Sequence, residues 1–237
     1  MIIRTINNTA WPRITVDRYT NDIYATWHRE LMNPQIEGDS VIAYIFKKAG
    51  SSKWDILRNF SMTAQLTTIH QASTFANGKL HSIFMNGQEG AWNVVANSAL
   101  QGENGGQAEV IPGAEGAHWP ELASDSQGNL YGIYSVRGGD LFYVYKGVSS
   151  EWKNLGTIAI NGRIGFYGLT VAPNDVAYVI YEKGIGEGLY GPIFIRITCE
   201  NVSKPFYIHE ARYPKALRIG VDSEGAVHSV WSDAWND

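Results

Sequence analysis

The sequence predicts an all-β protein built from about five similar units of roughly 50 residues. The main observation is a recurring five-residue pattern: an apolar residue, a ring, a mostly small residue, a mostly branched residue and an aromatic. The closing aromatics, spaced 47 to 57 residues apart, are Trp27, Phe84, Tyr134, Tyr181 and Trp231. Each copy is rich in branched and aromatic residues and is bounded by Gly, Asn, Asp and Ser, as strands are. Four short strands in each repeat are typical of β-propeller blades.

Each unit is predicted to contain an inner strand, a turn, a central strand that ends in the closing aromatic, and two outer strands. Asp, Asn and Gly mark the turns, most clearly at 125–129 and 222–225. Asp can bond its own backbone there, and Gly supplies the positive φ that such turns need. The outer strands expected in the first and third units are Val41–Lys48, Trp54–Phe60, Leu141–Lys146 and Trp152–Ile160.

We expect one propeller domain over residues 1–237, with units at about 8–61, 62–113, 114–160, 161–209 and 210–237. Only six residues follow Trp231, so the fifth unit lacks its two outer strands. The segment Met1–Asn7 resembles a strand, and we expect it to join the fifth blade and close the ring. The short last blade also leaves room for oligomerisation. A β-sandwich is the alternative fold.

Composition narrows the classes of partner and cofactor. The formal net charge of −4 argues against nucleic acid as a partner. The sequence has no run of about 18 apolar residues, so we expect no membrane span. The N-terminus lacks a signal-peptide pattern, so a cytoplasmic and a mature secreted protein both fit. One cysteine excludes an internal disulfide framework, and the six scattered histidines show no zinc spacing. We therefore expect no metal or cofactor, although calcium stays open because it needs no motif.

Two of the turns carry a family resemblance. The segments Asp125-Ser-Gln-Gly-Asn-Leu-Tyr and Asp222-Ser-Glu-Gly-Ala-Val-His resemble the Asp-box turns of the sialidase-like β-propeller superfamily. The resemblance extends over all five copies and is weaker in the second and fourth, which lack the Asp. It implies a propeller whose Asp turns are structural and lie away from the active site. The arginine-triad context and the Tyr/Glu nucleophile pair of sialidases are not recognisable here, so the resemblance implies no chemistry.

The strand order of a blade brings the start of each inner strand and the end of each central strand to one rim, opposite the turns. Aromatic, histidine, arginine and acidic residues concentrate at this rim. The residues expected to bind ligand there are Trp11, His28, Arg29, His70, His118, Trp119, Arg137, Tyr167, Arg212 and Tyr213. Aromatic faces accept sugar rings and polar groups satisfy their hydroxyls. The leading hypothesis is therefore lectin-like binding of a glycan or polysaccharide, without catalysis.

Two other functions stay open. An enzyme acting on a polysaccharide needs a pair of carboxylates for hydrolysis, or a base with a uronate-neutralising Arg for elimination. The catalytic candidates for such an enzyme are His118, Tyr167, Arg137, Arg212 and Glu182. The third hypothesis is a protein-interaction scaffold. The closing aromatics are expected to pack in the core in every case.

Overall fold

The computed structural model describes residues 9–30, 40–60, 67–88, 91–136, 139–159, 166–186, 189–198, 201–208 and 214–233. All the regular secondary structure in these residues is β-strand. The strands form four sheets of four strands and one sheet of two. The described residues contain no helix long and apolar enough to cross a membrane. The all-β, propeller-like architecture predicted from the repeat is confirmed.

The strands follow the chain order within each sheet. The first sheet contains β1 (Thr9–Val16), β2 (Ile23–Glu30), β3 (Ser40–Lys47) and β4 (Arg58–Asn59). The second contains β5 (Thr67–Ala76), β6 (Lys79–Gln88), β7 (Ala91–Leu100) and β8 (Glu109–Glu115). The third contains β9 (Ala117–Ser124), β10 (Leu130–Val136), β11 (Leu141–Lys146) and β12 (Lys153–Ala159). The fourth contains β13 (Tyr167–Val171), β14 (Ala177–Gly186), β15 (Leu189–Ile197) and β16 (Phe206–Tyr207), and the fifth contains β17 (Pro214–Val221) and β18 (Val227–Asp233).

The backbone divides into two compact units, Met1–Pro120 and Glu121–Asp237. In the first unit, a core cluster forms around Tyr24, Tyr44 and Phe84. In the second unit, a core cluster includes Tyr143 and Tyr181. A single domain over 1–237 stays a prediction, and the expected closing strand Met1–Asn7 lies outside the described residues.

The closing aromatics are core residues in the first four repeats, as expected. Trp27, Phe84, Tyr134 and Tyr181 are all buried on the central strands β2, β6, β10 and β14. Each of these strands has a neighbour on both sides within its sheet. The fifth copy differs, because Trp231 on β18 is only partly buried and the described part of its sheet has two strands.

The Asp turns fold as the sequence predicts. Asp125 Oδ1 accepts the backbone N–H groups of Gln127 and Asn129, and its Oδ2 accepts the Asn129 amide and the Tyr131 hydroxyl. Asp222 repeats the arrangement with two backbone N–H groups and with Nε2 of His228 at 2.8 Å. The ring that opens the central strand therefore supports the turn before it.

Two segments differ from expectation. The strand predicted at Trp54–Phe60 is present only as Arg58–Asn59. The side chains of Ser51 and Asp55 accept nearby backbone N–H groups, and these local hydrogen bonds compete with strand pairing. For the glycine-rich segment 101–106 the sequence predicts only a flexible loop, but side chains outside the segment bond its backbone carbonyls. Tyr44 donates to the carbonyl of Glu103, and Nε of Arg58 donates to the carbonyl of Gly102.

Candidate functional site: an aromatic cluster in the first unit

Three inner strands carry a bulky residue in the left-handed backbone region near their starts. The φ angles are 53° at Trp11 on β1, 43° at His70 on β5 and 48° at Trp119 on β9. The ladders shift register around the first two of these residues, as they do at a β-bulge. Bulky residues seldom adopt positive φ, and bulges near functional sites re-aim side chains. In β1 and β5 the bulge thus turns a ring out of the regular alternation, and Trp119 on β9 has the same left-handed φ.

The three redirected rings meet. The ring centroids of Trp11 and His70 lie 4.1 Å apart, and Trp119 stands edge-on to His70 at 6.1 Å. The indole Nε1–H of Trp119 donates to Nε2 of His70 at 3.2 Å, and the backbone N–H of Trp119 donates to Sδ of Met85 at 3.4 Å. His70 is thus held between two indoles.

Two further histidines extend the group. His28 on β2 lies 5.6 Å from Trp11, and His118 lies 5.8 Å from Trp119, between ring centroids. We call Trp11, His28, His70, His118 and Trp119 the aromatic cluster. Half of the ten residues predicted to bind ligand therefore lie together in the first unit. His28 is buried, whereas Trp11 is 42% exposed and Trp119 is 47% exposed, so both indole residues are accessible to solvent in part.

The central histidine of the cluster is neutral at physiological pH. Burial, followed by the nearby His118, His28 and Arg13, lowers the pKa of His70 to about 4. Because Nε2 accepts the indole N–H of Trp119, the ring proton belongs on Nδ1. The cluster therefore combines two partly exposed indoles with an uncharged imidazole.

Several predicted site residues lie elsewhere. Arg29 is on β2, opposite Thr9 and Val41, and its side chain is partly exposed. Tyr167 is buried in the second unit, where its hydroxyl accepts the backbone N–H of Ser135 at 3.1 Å and burial raises its pKa. Its role in ligand binding stays a prediction.

The remaining candidates are Glu182, predicted for the enzyme hypothesis, Tyr213, predicted for ligand binding, and Arg137 and Arg212, predicted for both. Glu182 is buried, and its backbone N–H donates to the carbonyl of Phe166. Arg137, Arg212 and Tyr213 lie outside the described residues. Within the part of the chain that the structure describes, no three His, Cys, Asp or Glu side chains are grouped as a metal ion would require. The described cluster is equipped to bind through ring faces and hydrogen bonds.

Sequence reasoning missed the polar residues beneath the cluster. Gln71, which directly follows His70, is fully buried and bonds the carbonyl of Trp11, Thr26 and Ser73. Its signal was available in the repeats, because Thr26 takes a place that holds Ile or Val in the other four copies. A polar residue in an apolar column of the repeat is visible without a structure.

No protein-family model and no curated protein matches the chain. Solved structures do match in fold. The Hadza microbial sialidase Hz136 has a TM-score of 0.64 at 11% identity, over 90% of this chain and 48% of its own. The K499G mutant of NanB sialidase from Streptococcus pneumoniae has 0.64 at 10%, over 94% and 56%. The polysaccharide lyase Uly1 has 0.58 at 12%, over 96% and 55%.

These similarities show the fold alone, since every identity is far below 25%. At that level the chain has the sialidase-like β-propeller fold that its Asp turns predict. The chain spans about half the length of the three structures it matches. What it binds must therefore be argued from its own residues.

Proposed function

We propose that this protein binds a carbohydrate through the aromatic cluster. The observation that carries the proposal is the convergence of Trp11, His70 and Trp119 from three successive inner strands, each in a strained left-handed conformation. Such strain costs on the order of 1–3 kcal/mol per residue and tends to persist where a site requires it. The same left-handed bulge occurs at Ala216 on β17, where there is no ring, so the bulge is shared between repeats and the three rings are what is particular to this site. Both indoles are nearly half exposed, so burial in the core does not account for them.

Sugar is the ligand class that suits these groups best. The apolar faces of pyranose rings stack on indoles, while neighbouring donors and acceptors satisfy the hydroxyls. Neutral His70 can supply a donor at Nδ1, because its acceptor Nε2 is already used by the indole N–H of Trp119. The matched structures include two sialidases and a polysaccharide lyase, which is in keeping with a carbohydrate ligand.

Binding to a broad array of neutral and acidic glycans tests the proposal. We expect selective, saturable binding that Trp11→Ala and Trp119→Ala each weaken by roughly tenfold or more, the loss typical of a central aromatic contact. Tyr19→Ala is the matched control, since Tyr19 is an exposed aromatic of the first sheet in the turn at the other end of β1. Its glycan affinity should equal that of the wild type.

The same samples distinguish the competing functions. Mass analysis of each bound glycan after incubation detects cleavage, and a shortened product would make the protein an enzyme rather than a lectin. A blank array, with folded protein, would contradict carbohydrate binding and favour the interaction scaffold. Equal affinities of the wild type and both indole variants would remove the aromatic cluster from the binding site.

A further inference from the structure

A buried polar network lies directly beneath Trp11. The amide oxygen of Gln71 accepts hydrogen bonds from the hydroxyls of Thr26, at 3.0 Å, and Ser73, at 2.8 Å. Its amide nitrogen donates to the carbonyl of Trp11 at 3.3 Å. The reverse orientation of the amide would set its oxygen against a carbonyl oxygen, so the network fixes which way Gln71 points. Thr26 and Gln71 are both 1% exposed.

The repeats indicate that the fold does not need polar groups at these positions. The five repeats can be aligned on the closing aromatic and on the start of the inner strand. Equivalent positions then form columns, and three columns matter here. The column of Thr26 holds Ile83, Ile133, Ile180 and Val230. The column of Gln71 holds Pro12, Pro120, Tyr167 and Leu217. The column of Ser73 holds Ile14, Leu122, Leu169 and Ile219.

Blade packing is therefore achieved elsewhere without this network. Buried polar networks contribute less to stability than to the choice of one geometry, since every member must keep its partners. In the described residues this network occurs where β1 meets β5, next to the bulges that carry Trp11 and His70. From the network, the amide of Gln71 donates to the carbonyl of Trp11.

We propose that Gln71 is a positioning residue that sets the separation of the Trp11 and His70 rings. The side chain of Gln71 holds the backbone of Trp11 on one strand, while its own backbone follows His70 on the next. The 4.1 Å ring separation is thereby fixed from below. The consequence for glycan affinity rests on the proposed function, whereas the effect on ring geometry does not.

The test replaces the network by the residues of the fifth copy, in the triple variant Thr26→Val, Gln71→Leu, Ser73→Ile. Protein labelled with ¹³C-histidine reports the ring protons of His70, which the Trp11 indole shifts by its ring current. The His70 signal is assigned by its loss in His70→Asn. We expect the variant to fold, the His70 ring protons to move toward unperturbed shifts, and affinity for the strongest wild-type array glycan to fall roughly tenfold.

Gln71→Met provides a second route if the triple variant fails to fold, because Ser73 and Thr26 still bond each other at 3.3 Å. Ser82→Ala is the matched control, since Ser82 is a buried hydroxyl that donates to the carbonyl of Ala72 and is outside the network. Unchanged His70 shifts in a folded variant that lacks the Gln71 amide would overturn the inference. Altered shifts together with a blank array would uphold it and contradict carbohydrate binding instead.

Discussion

The two ends of strand β1 use their local backbone for opposite purposes. At one end the carboxylate of Asp17 is buried, and it accepts the backbone N–H of Tyr19 and the hydroxyl of Thr20. At the other end Trp11 adopts a left-handed φ and leaves its indole 42% exposed, in contact with His70. One end satisfies its polar groups and closes a turn. The other keeps a strained backbone and leaves an indole partly exposed.

The difference is repeated in other sheets. Asp125 and Asp222 hold their turns in the same way as Asp17, and Trp119 repeats the conformation of Trp11. The contrast teaches that the conspicuous sequence motif and the candidate site lie at opposite ends of the strands. Changes at the turns should therefore alter stability, and changes at the bulges should alter binding.

The largest expected effect on stability is at Asp125. The change Asp125→Ala removes four hydrogen bonds from a carboxylate that is 4% exposed, and it leaves the buried Tyr131 hydroxyl without its acceptor. We expect the free energy of unfolding to fall by about 2–4 kcal/mol. Denaturant unfolding measures the loss. Asp125→Asn should retain part of the stability, and glycan affinity should be unchanged in whatever fraction is folded.

The next effect is a pH dependence at the bulges. Because the folded pKa of His70, about 4, lies below the ordinary value of 6.5, the unfolded chain binds a proton first as the pH falls. The stability contributed by neutral His70 is therefore complete above pH 6.5 and is lost between 6.5 and 4. Histidine NMR should give the midpoint directly. Asparagine tolerates positive φ, so the variant His70→Asn should fold, and it should lose less stability than the wild type between pH 6.5 and 4. An equal loss in both proteins would contradict the assignment of this pH dependence to His70.

A smaller effect separates strain from side-chain contacts. At Trp119, where φ is 48°, glycine is relaxed and alanine is not. We expect Trp119→Gly to be more stable than Trp119→Ala by roughly 0.5–1 kcal/mol, measured by unfolding. Ile14 on β1 is an exposed strand residue with no positive φ, so it supplies the control pair. There the alanine variant should be the more stable, and the same order at both positions would argue against strain at Trp119.

The smallest effect is at Asp222. The hydrogen bond from His228 and two backbone N–H groups lower the pKa of Asp222, so its contribution is present above the unfolded value and is lost as the pH falls below it. Because Asp222 and His228 are exposed, solvent screens their interaction. Asp222→Ala should lower the melting temperature less than Asp125→Ala does. A larger drop would show that the Asp turns differ in something besides burial.

Much of the fold was predictable from the sequence. The spacing of Trp27, Phe84 and Tyr134 identified the repeat, because the first four sheets each bury an aromatic at this position of the central strand. The turn at Asp125 was predictable for a different reason. Its hydrogen bonds join residues only two to six positions apart in the chain. The short β4 was not, because the side chains of Ser51 and Asp55 divert the backbone there.

The candidate site was predictable only in part. Trp11, His70 and Trp119 were identified by their places at the starts of inner strands. Their left-handed φ angles and their mutual contacts were not, since a bulge depends on the register of the neighbouring strand. The buried Gln71 was overlooked although the repeats single out its partner Thr26 as polar, because the hydrogen bonds that give Gln71 a role join separate strands.

The sequence by itself determined the number of repeats, the alternation of strands and turns, and the residues that close each turn. These depend on period, composition and contacts between near neighbours in the chain. The tertiary structure decided which rim residues meet, that His70 is neutral between two indoles, and that Gln71 bonds the carbonyl of Trp11. Those outcomes depend on distances between residues about 50 to 110 positions apart, which only the packing of separate strands can set.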